Sequence, residues 1–159
     1  ATITVGIEWI RVLEVSGHTV GHIAFHFPAS GYVFTGDSLM AFGCGRLFEG
    51  TPGQMYQSLS KLAALPDDTL VCSGHEYTAS NAKFALTIEP DNPDLISRVR
   101  DITAARAAGR PTVPSALDVE CKTNPFLRAD TPDLLAAIDM AGQDGDAVFT
   151  EIRKRKDNF

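Results

Sequence analysis

Two short apolar runs, VFTGD at residues 33–37 and LVCSGH at 70–75, constrain this chain more than any other feature. Each is built of strand-forming residues and ends in a glycine followed by a potential metal ligand, Asp37 in one and His75 in the other. A buried strand reads this way, and a strand end is where a rigid sheet can present a polar side chain for chemistry. Between the runs, residues 52–65 carry Thr51 as an N-cap, Pro52 in the first turn and an apolar stripe of Met55, Leu59, Leu62 and Ala63, which predicts a helix. Strand, helix and strand, with ligands at both carboxyl ends, predict an α/β layout with a site at the edge of the sheet. Gly36, Gly43 and Gly45 let the backbone turn tightly beside Asp37. Taken alone, Asp37 reads first as the cap of a following helix, and its neighbours in the chain turn the reading to a metal ligand.

The rest of the chain supplies context. Residues 1–15 are predicted as one strand, with Ile7, Trp9, Arg11, Leu13 and Val15 on a single face by their period of two. A chain that opens inside such a strand, with no polar lead, implies that further structure precedes it. SGHTVGH at 16–22 is a turn, after which residues 23–27 resume a strand. His18, on the loop, is placed to offer a ring nitrogen to a metal; His22, entering the strand, is assigned to backbone hydrogen bonding; His26, between Phe25 and Phe27, is a sheet-face residue. Helices are predicted over 81–88, 94–108, 132–141 and 147–156, with an extended strap over 112–128. EPDNP at 89–93 breaks the pattern and divides the chain into domains at 1–90 and 91–159.

Composition excludes several classes of function. A chain of 159 residues buries one sizeable core, or one core with a small helical appendage. It contains no run of about 18 apolar residues, so no membrane span is expected. The net charge of −6 argues against nucleic-acid binding, although residues 153–156 read RKRK. Cys44, Cys72 and Cys121 have no C-x-x-C spacing, which disfavours a disulfide framework or thiolate site and favours free thiols in the cytoplasm. Cys44 lies between two glycines but has no histidine beside it in sequence, so it is not taken as a nucleophile.

His18, Asp37 and His75 come from three separate loops, and imidazole with carboxylate suits zinc, iron or manganese. In the contexts GHTVGH, TGDS and GHEY they resemble the later metal motifs of the metallo-β-lactamase superfamily. Together with GCGRLFEGT, LPDDTLVCSGHEYTASNAKFA, EPDNP, RPTVPS, NPFLR and RKRKD, they make the chain resemble the glyoxalase II (hydroxyacylglutathione hydrolase) family over essentially its whole length. The resemblance implies the second half of an αββα sandwich followed by a small α-helical C-terminal domain. It implies two divalent metal ions, zinc foremost and iron or manganese as alternatives, with His18 on the first, His75 on the second and Asp37 bridging them. Such ions bring the pKa of a bridging water toward ~7 and polarise the carbonyl under attack. The substrate class implied is a glutathione thioester such as S-lactoylglutathione, whose thiolate, with a pKa near ~8.5, leaves without a strong general acid. By position Arg46, Tyr77, Asn81, Arg153 and Lys156 would hold it, in a monomer with no nucleic-acid or membrane partner. Without the resemblance, Arg46 is a solvated loop charge and Arg153 and Lys156 are favoured by the helix dipole alone.

The chain also departs from that pattern. Phe48 stands where some relatives carry tyrosine, and Ser16 and Ser38 replace the more usual proline and threonine. The family signature T-H-x-H-x-D-H, which supplies four of the metal ligands, is absent from these 159 residues. The expectation is therefore a hydrolase of which this is the second half. Its alternatives are a remnant that binds glutathione-like peptides without catalysis, or a single-iron persulfide dioxygenase of the same fold, against which the helical extension counts.

Overall fold

The computed structural model describes residues 1–159. Its main sheet has six strands in the order β1-β2-β3-β4-β7-β8: β1 (Thr2–Val5), β2 (Glu8–Glu14), β3 (Ile23–Phe27), β4 (Tyr32–Gly36), β7 (Leu70–Ser73) and β8 (Ser115–Ala116). Neighbours are antiparallel except β4 and β7, which run parallel as the two ends of a βαβ unit whose helix is α1 (Pro52–Ala63). A small hairpin of β5 (Leu39–Met40) and β6 (Gly43–Cys44) follows β4. Helices α2 (Thr78–Ile88), α3 (Pro93–Ala107), α4 (Leu117–Thr123), a 3-10 turn (Pro125–Leu127), α5 (Pro132–Ala137) and α6 (Gly145–Asp157) complete the chain.

Strand register sorts the sheet into two faces. Leu13, Ala24, His26, Val33 and Val71 share one face by cross-strand pairing. That face joins Met55, Leu59 and Leu62 of α1, Phe126, and Val148, Phe149 and Ile152 of α6 in one cluster of 20 buried residues. The cluster runs across residues 89–93, so both sides of that boundary share a core. The opposite face carries Val12, Phe25, Phe27, Tyr32, Phe34 and Cys72. It stays open, with Phe34 46% and Tyr32 37% exposed. One covered face and one open apolar face make half of a sandwich rather than a closed one.

Several predicted elements change. The single strand over 1–15 is a hairpin, β1 and β2, because Gly6 takes a φ of 59° and turns the chain. Ile7 and Trp9 are therefore exposed, and it is Ile10 and Val15 that are buried. The strap over 112–128 is largely helical, formed by β8, α4 and the 3-10 turn. Helix α5 stops at Ala137, just before Asp139 with its φ of 58°. Helix α2 begins at Thr78, three residues earlier than predicted and without a side-chain cap, whereas capping holds α1, α3 and α6 close to where the sequence placed them. Thr51 and Gln54 form a capping box on α1, and Asn92 and Asp144 cap α3 and α6. His26 is a sheet-face residue, 4% exposed, with Nδ1 unpartnered. Burial, then the charge of Arg11 across the strand pair, pushes its pKa down.

Candidate metal centre

The carboxyl ends of β4 and β7 lie side by side, with Gly36 paired to Ser73, so Asp37 and His75 leave the sheet at the same edge. β3 runs antiparallel to β4, which puts the 16–22 turn at that edge too. His75 Nδ1 stands 2.6 Å from Asp37 Oδ1, and His18 Nε2 stands 3.5 Å from Asp37 Oδ2. The three side chains are accessible to different degrees, 17% for His18, 25% for Asp37 and 48% for His75.

Backbone contacts orient each of them. The carbonyl of Arg46 lies 2.8 Å from His18 Nδ1, and because a carbonyl only accepts, Nδ1 carries the proton. In the neutral ring Nε2 is then a lone pair facing a carboxylate oxygen. Two acceptors that converge this way call for a cation between them, which is the arrangement of a metal ligand pair. His22 Nε2 sits 3.2 Å from both Asp37 N and Thr35 O; as a lone pair it accepts from Asp37 N–H, as an N–H it donates to Thr35 O, and either bond ties the backbone beside Asp37. Val20 N–H donates to Glu49 Oε2, and the N–H groups of Phe48 and Gly50 donate to the carbonyls of His18 and Gly17. These bonds lace the His18 loop to the 46–50 segment. The three donors form an open group, not a closed cage of three or more ligands around one point. They fit part of a metal site.

All eight residues assigned from the sequence line one pocket of about 500 Å³, with Met40, Cys44, Phe48 and Ser80 among its other walls. They differ in what their polar groups are free to do. Tyr77 is exposed and its ring stacks on His75 with centroids 5.0 Å apart. Arg46 is exposed and pairs with no carboxylate, whereas Lys156 is half-buried above the rings of Phe84 and Phe159. Burial, then repulsion from Arg153 and Arg46, pushes the Lys156 ammonium down from its ordinary range. Arg153 and Asn81, by contrast, are buried and largely engaged in the framework. Arg153 donates to the carbonyls of Cys44 and Gly45 and to Asp157, and Asn81 Nδ2 donates to Ala41 O.

Cys44 is buried, and burial pushes its thiol up to about 11 even with the Arg153 guanidinium beside it. Iodoacetamide at pH 8 is therefore expected to leave Cys44 unmodified in the folded protein and to alkylate it after denaturation, as read by peptide mass mapping. Labelling of native Cys44 at the rate of a free thiol would contradict the buried placement.

Sequence reasoning missed the residues that hold the site from outside. Glu76 accepts from Thr112 N and from the hydroxyls of Thr112 and Thr78, anchoring the segment between His75 and Tyr77. Burial opposes its charge, but those bonds and Arg106 outweigh it and keep the carboxyl below the usual range. Arg98 and Glu120 form a buried bidentate pair, and Asn124 reaches the β5–β6 hairpin. NPFLR contains Asn124, so a signal existed there; nothing in the sequence marked Glu120 as buried.

Comparison with known proteins matches both parts of this architecture. Residues 2–75 match the metallo-beta-lactamase superfamily, and residues 76–159 match the family described as hydroxyacylglutathione hydrolase C-terminus. A hydroxyacylglutathione hydrolase from Jannaschia sp. (strain CCS1) is 70% identical over 158 residues, 99% of this chain and 62% of that protein. One from Cereibacter sphaeroides (strain ATCC 17025 / ATH 2.4.3) is 66% identical over 157 residues, again 99% of this chain and 62% of the relative. The chain thus spans 62% of the length of these curated relatives. Among solved structures, ETHE1 from Myxococcus xanthus superposes with a TM-score of 0.60 at 26% identity, covering 98% of this chain and 49% of that one. The helical part that walls the pocket is the part that carries the more specific match, and on it the chain belongs to the hydroxyacylglutathione hydrolase family.

Proposed function

We propose that the protein hydrolyses a glutathione thioester of the S-lactoylglutathione type to glutathione and a 2-hydroxy acid. The observation that carries this reading is one pocket lined both by His18, Asp37 and His75 and by two cations without carboxylate partners, Arg46 and Lys156. His18 and His75 would each hold one of two divalent ions, zinc foremost, with Asp37 between them. Three donors leave positions open on both ions for further ligands and water. Bound there, the ions would bring a water's pKa toward ~7 and polarise the thioester carbonyl.

The chain's own residues do the rest. Arg46 offers a two-point fork and Lys156 a point charge to the glutathione carboxylates. Tyr77, held flat against His75, presents its phenol to the thiol peptide. Arg153 and Asn81 shape the wall, since most of their donors are already engaged. The three free cysteines support a reducing, cytoplasmic setting, and no helix is long and apolar enough to cross a membrane. We take the protein to act as a monomer.

The test is steady-state hydrolysis of S-lactoylglutathione by the metal-loaded protein expressed from its full coding sequence. Lys156→Met is expected to raise KM about tenfold or more with kcat little changed, the loss of one charged hydrogen bond worth roughly 1.5–3 kcal/mol. Because burial lowers the Lys156 pKa, the cationic form that binds carboxylate is lost at a lower pH than for an ordinary lysine. KM of the parent protein should therefore climb early in the alkaline range, and that climb should vanish in the methionine variant. Absence of thioester hydrolysis in the metal-loaded parent would refute the proposal.

A further inference from the structure

The hairpin between Asp37 and Arg46 contains a conformation its sequence does not favour. Phe42 has a φ of 60°, in a two-residue connection where glycine or asparagine is the usual occupant. Its side chain is fully buried, so it does not gain solvent freedom in exchange. A bulky residue persists in this region only when its surroundings over-determine it.

Those surroundings come from the helical part. The Phe42 N–H donates to Glu120 Oε1 at 2.9 Å, and the guanidinium of Arg98 lies 3.9 Å from the centre of the Phe42 ring. Arg98 grips Glu120 through two bonds of 2.9 and 2.5 Å; Thr123 Oγ1 accepts a further bond from Arg98 Nη1, and Ser115 Oγ donates to Glu120 Oε2. Glu120 is 0% and Arg98 8% exposed. Side chains of the same region hold the adjoining carbonyls. Asn124 Nδ2 donates to Met40 O and Gly43 O, Asn81 Nδ2 donates to Ala41 O, and Arg153 donates to Cys44 O and Gly45 O.

The segment so fixed is continuous with the metal centre. Gly45 N–H donates to Ser38 O at 3.0 Å, closing the hairpin one residue beyond Asp37. The next carbonyl, that of Arg46, is the one that sets the His18 ring. A buried ion pair is a poor device for stability alone, since apolar residues of similar volume usually serve as well. A directional acceptor for one strained N–H is something apolar residues cannot supply.

We infer that Glu120, oriented by Arg98, is a positioning residue: it holds the Phe42 turn and thereby the register in which Asp37, His18 and Arg46 face the pocket. This rests on the hydrolase reading only for its kinetic consequence. Two substitutions separate positioning from charge pairing. Glu120→Asp keeps the charge beside Arg98 but is one methylene too short to reach Phe42 N. Glu120→Gln keeps the reach and gives up the charge.

The measurements are hydrogen exchange of the Phe42 amide, zinc affinity by competition with a chromophoric chelator, kcat and KM for S-lactoylglutathione, and the melting temperature, all on protein expressed from its full coding sequence. Glu120→Asp is expected to speed Phe42 exchange at least tenfold, weaken zinc binding about tenfold and lower kcat by a similar factor with KM nearly unchanged. Glu120→Gln is expected to retain slow exchange and zinc affinity within about threefold, even where its melting temperature falls below that of the aspartate variant. Should Glu120→Gln alone fail to fold, Glu120→Gln with Arg98→Met removes the unpaired cation and carries the same expectation. The inference is overturned if the aspartate variant equals the parent in exchange and zinc affinity, or if affinity follows melting temperature across the set. If the parent hydrolyses no thioester while zinc affinity follows the expected order, the hydrolase reading fails and the positioning role stands.

Discussion

Asp37→Ala is expected to lower kcat/KM for S-lactoylglutathione by about a thousandfold or more, equivalent to roughly 4 kcal/mol of transition-state stabilisation. The reason is the division of labour within one carboxylate. Oδ1 faces His75 and Oδ2 faces His18, so one carboxylate contacts both imidazoles. Without it, two imidazoles on separate loops share no anion, and a pair of divalent ions would lose the charge that offsets their mutual repulsion. Metal content measured by elemental analysis should fall in parallel. The melting temperature of the metal-free protein should hardly move, because Asp37 is partly solvated and carries no part of the buried core. Activity above a tenth of the parent would remove Asp37 from the reacting centre.

The sequence revealed Asp37 and His75 because a strand that ends in glycine and a polar residue leaves a pattern within six residues. The βαβ unit was readable for the same reason: capping by Thr51, the stripe through Met55, Leu59 and Leu62, and two apolar runs all act locally. Local signals also misled. Alternation from Ile3 to Val15 continues straight through the Gly6 turn, so a hairpin looked like one strand and Ile7 like a buried residue. Helix α4 has seven residues, and its buried positions are Leu117, Glu120 and Thr123, two of them polar; no apolar stripe announces it. For Arg153 the RKRK pattern records only a charge favoured by the helix dipole, and the substrate role is what the family resemblance implies. The carbonyl partners of Arg153, Cys44 and Gly45, are more than a hundred residues away in sequence. What no local pattern records is which buried polar groups find each other across the chain.

Gly45→Ala is expected to disrupt the same candidate centre without replacing any of its proposed ligands. A Cβ on Gly45 would overlap the carbonyl oxygen of Asp37 and come within 3.0 Å of His18 Nδ1. Neither neighbour can yield cheaply. The Asp37 carbonyl is backbone, and His22 ties the chain beside it; His18 Nδ1 is held by Arg46 O. The methyl group must therefore push the hairpin away from β4 or turn the His18 ring out of line with Asp37. Overpacking of this kind costs about 1–3 kcal/mol, and here it falls on the group that sets ligand geometry. The alanine variant should lose roughly 10- to 100-fold in zinc affinity together with a measurable drop in melting temperature. Gly21→Ala is the matched control, since a Cβ there meets nothing within 4 Å, and it should behave as the parent in both measurements. Equal behaviour of the two variants would mean that the close approach of Gly45 to Asp37 does not hold in solution and that the hairpin register does not set the geometry of the candidate metal centre.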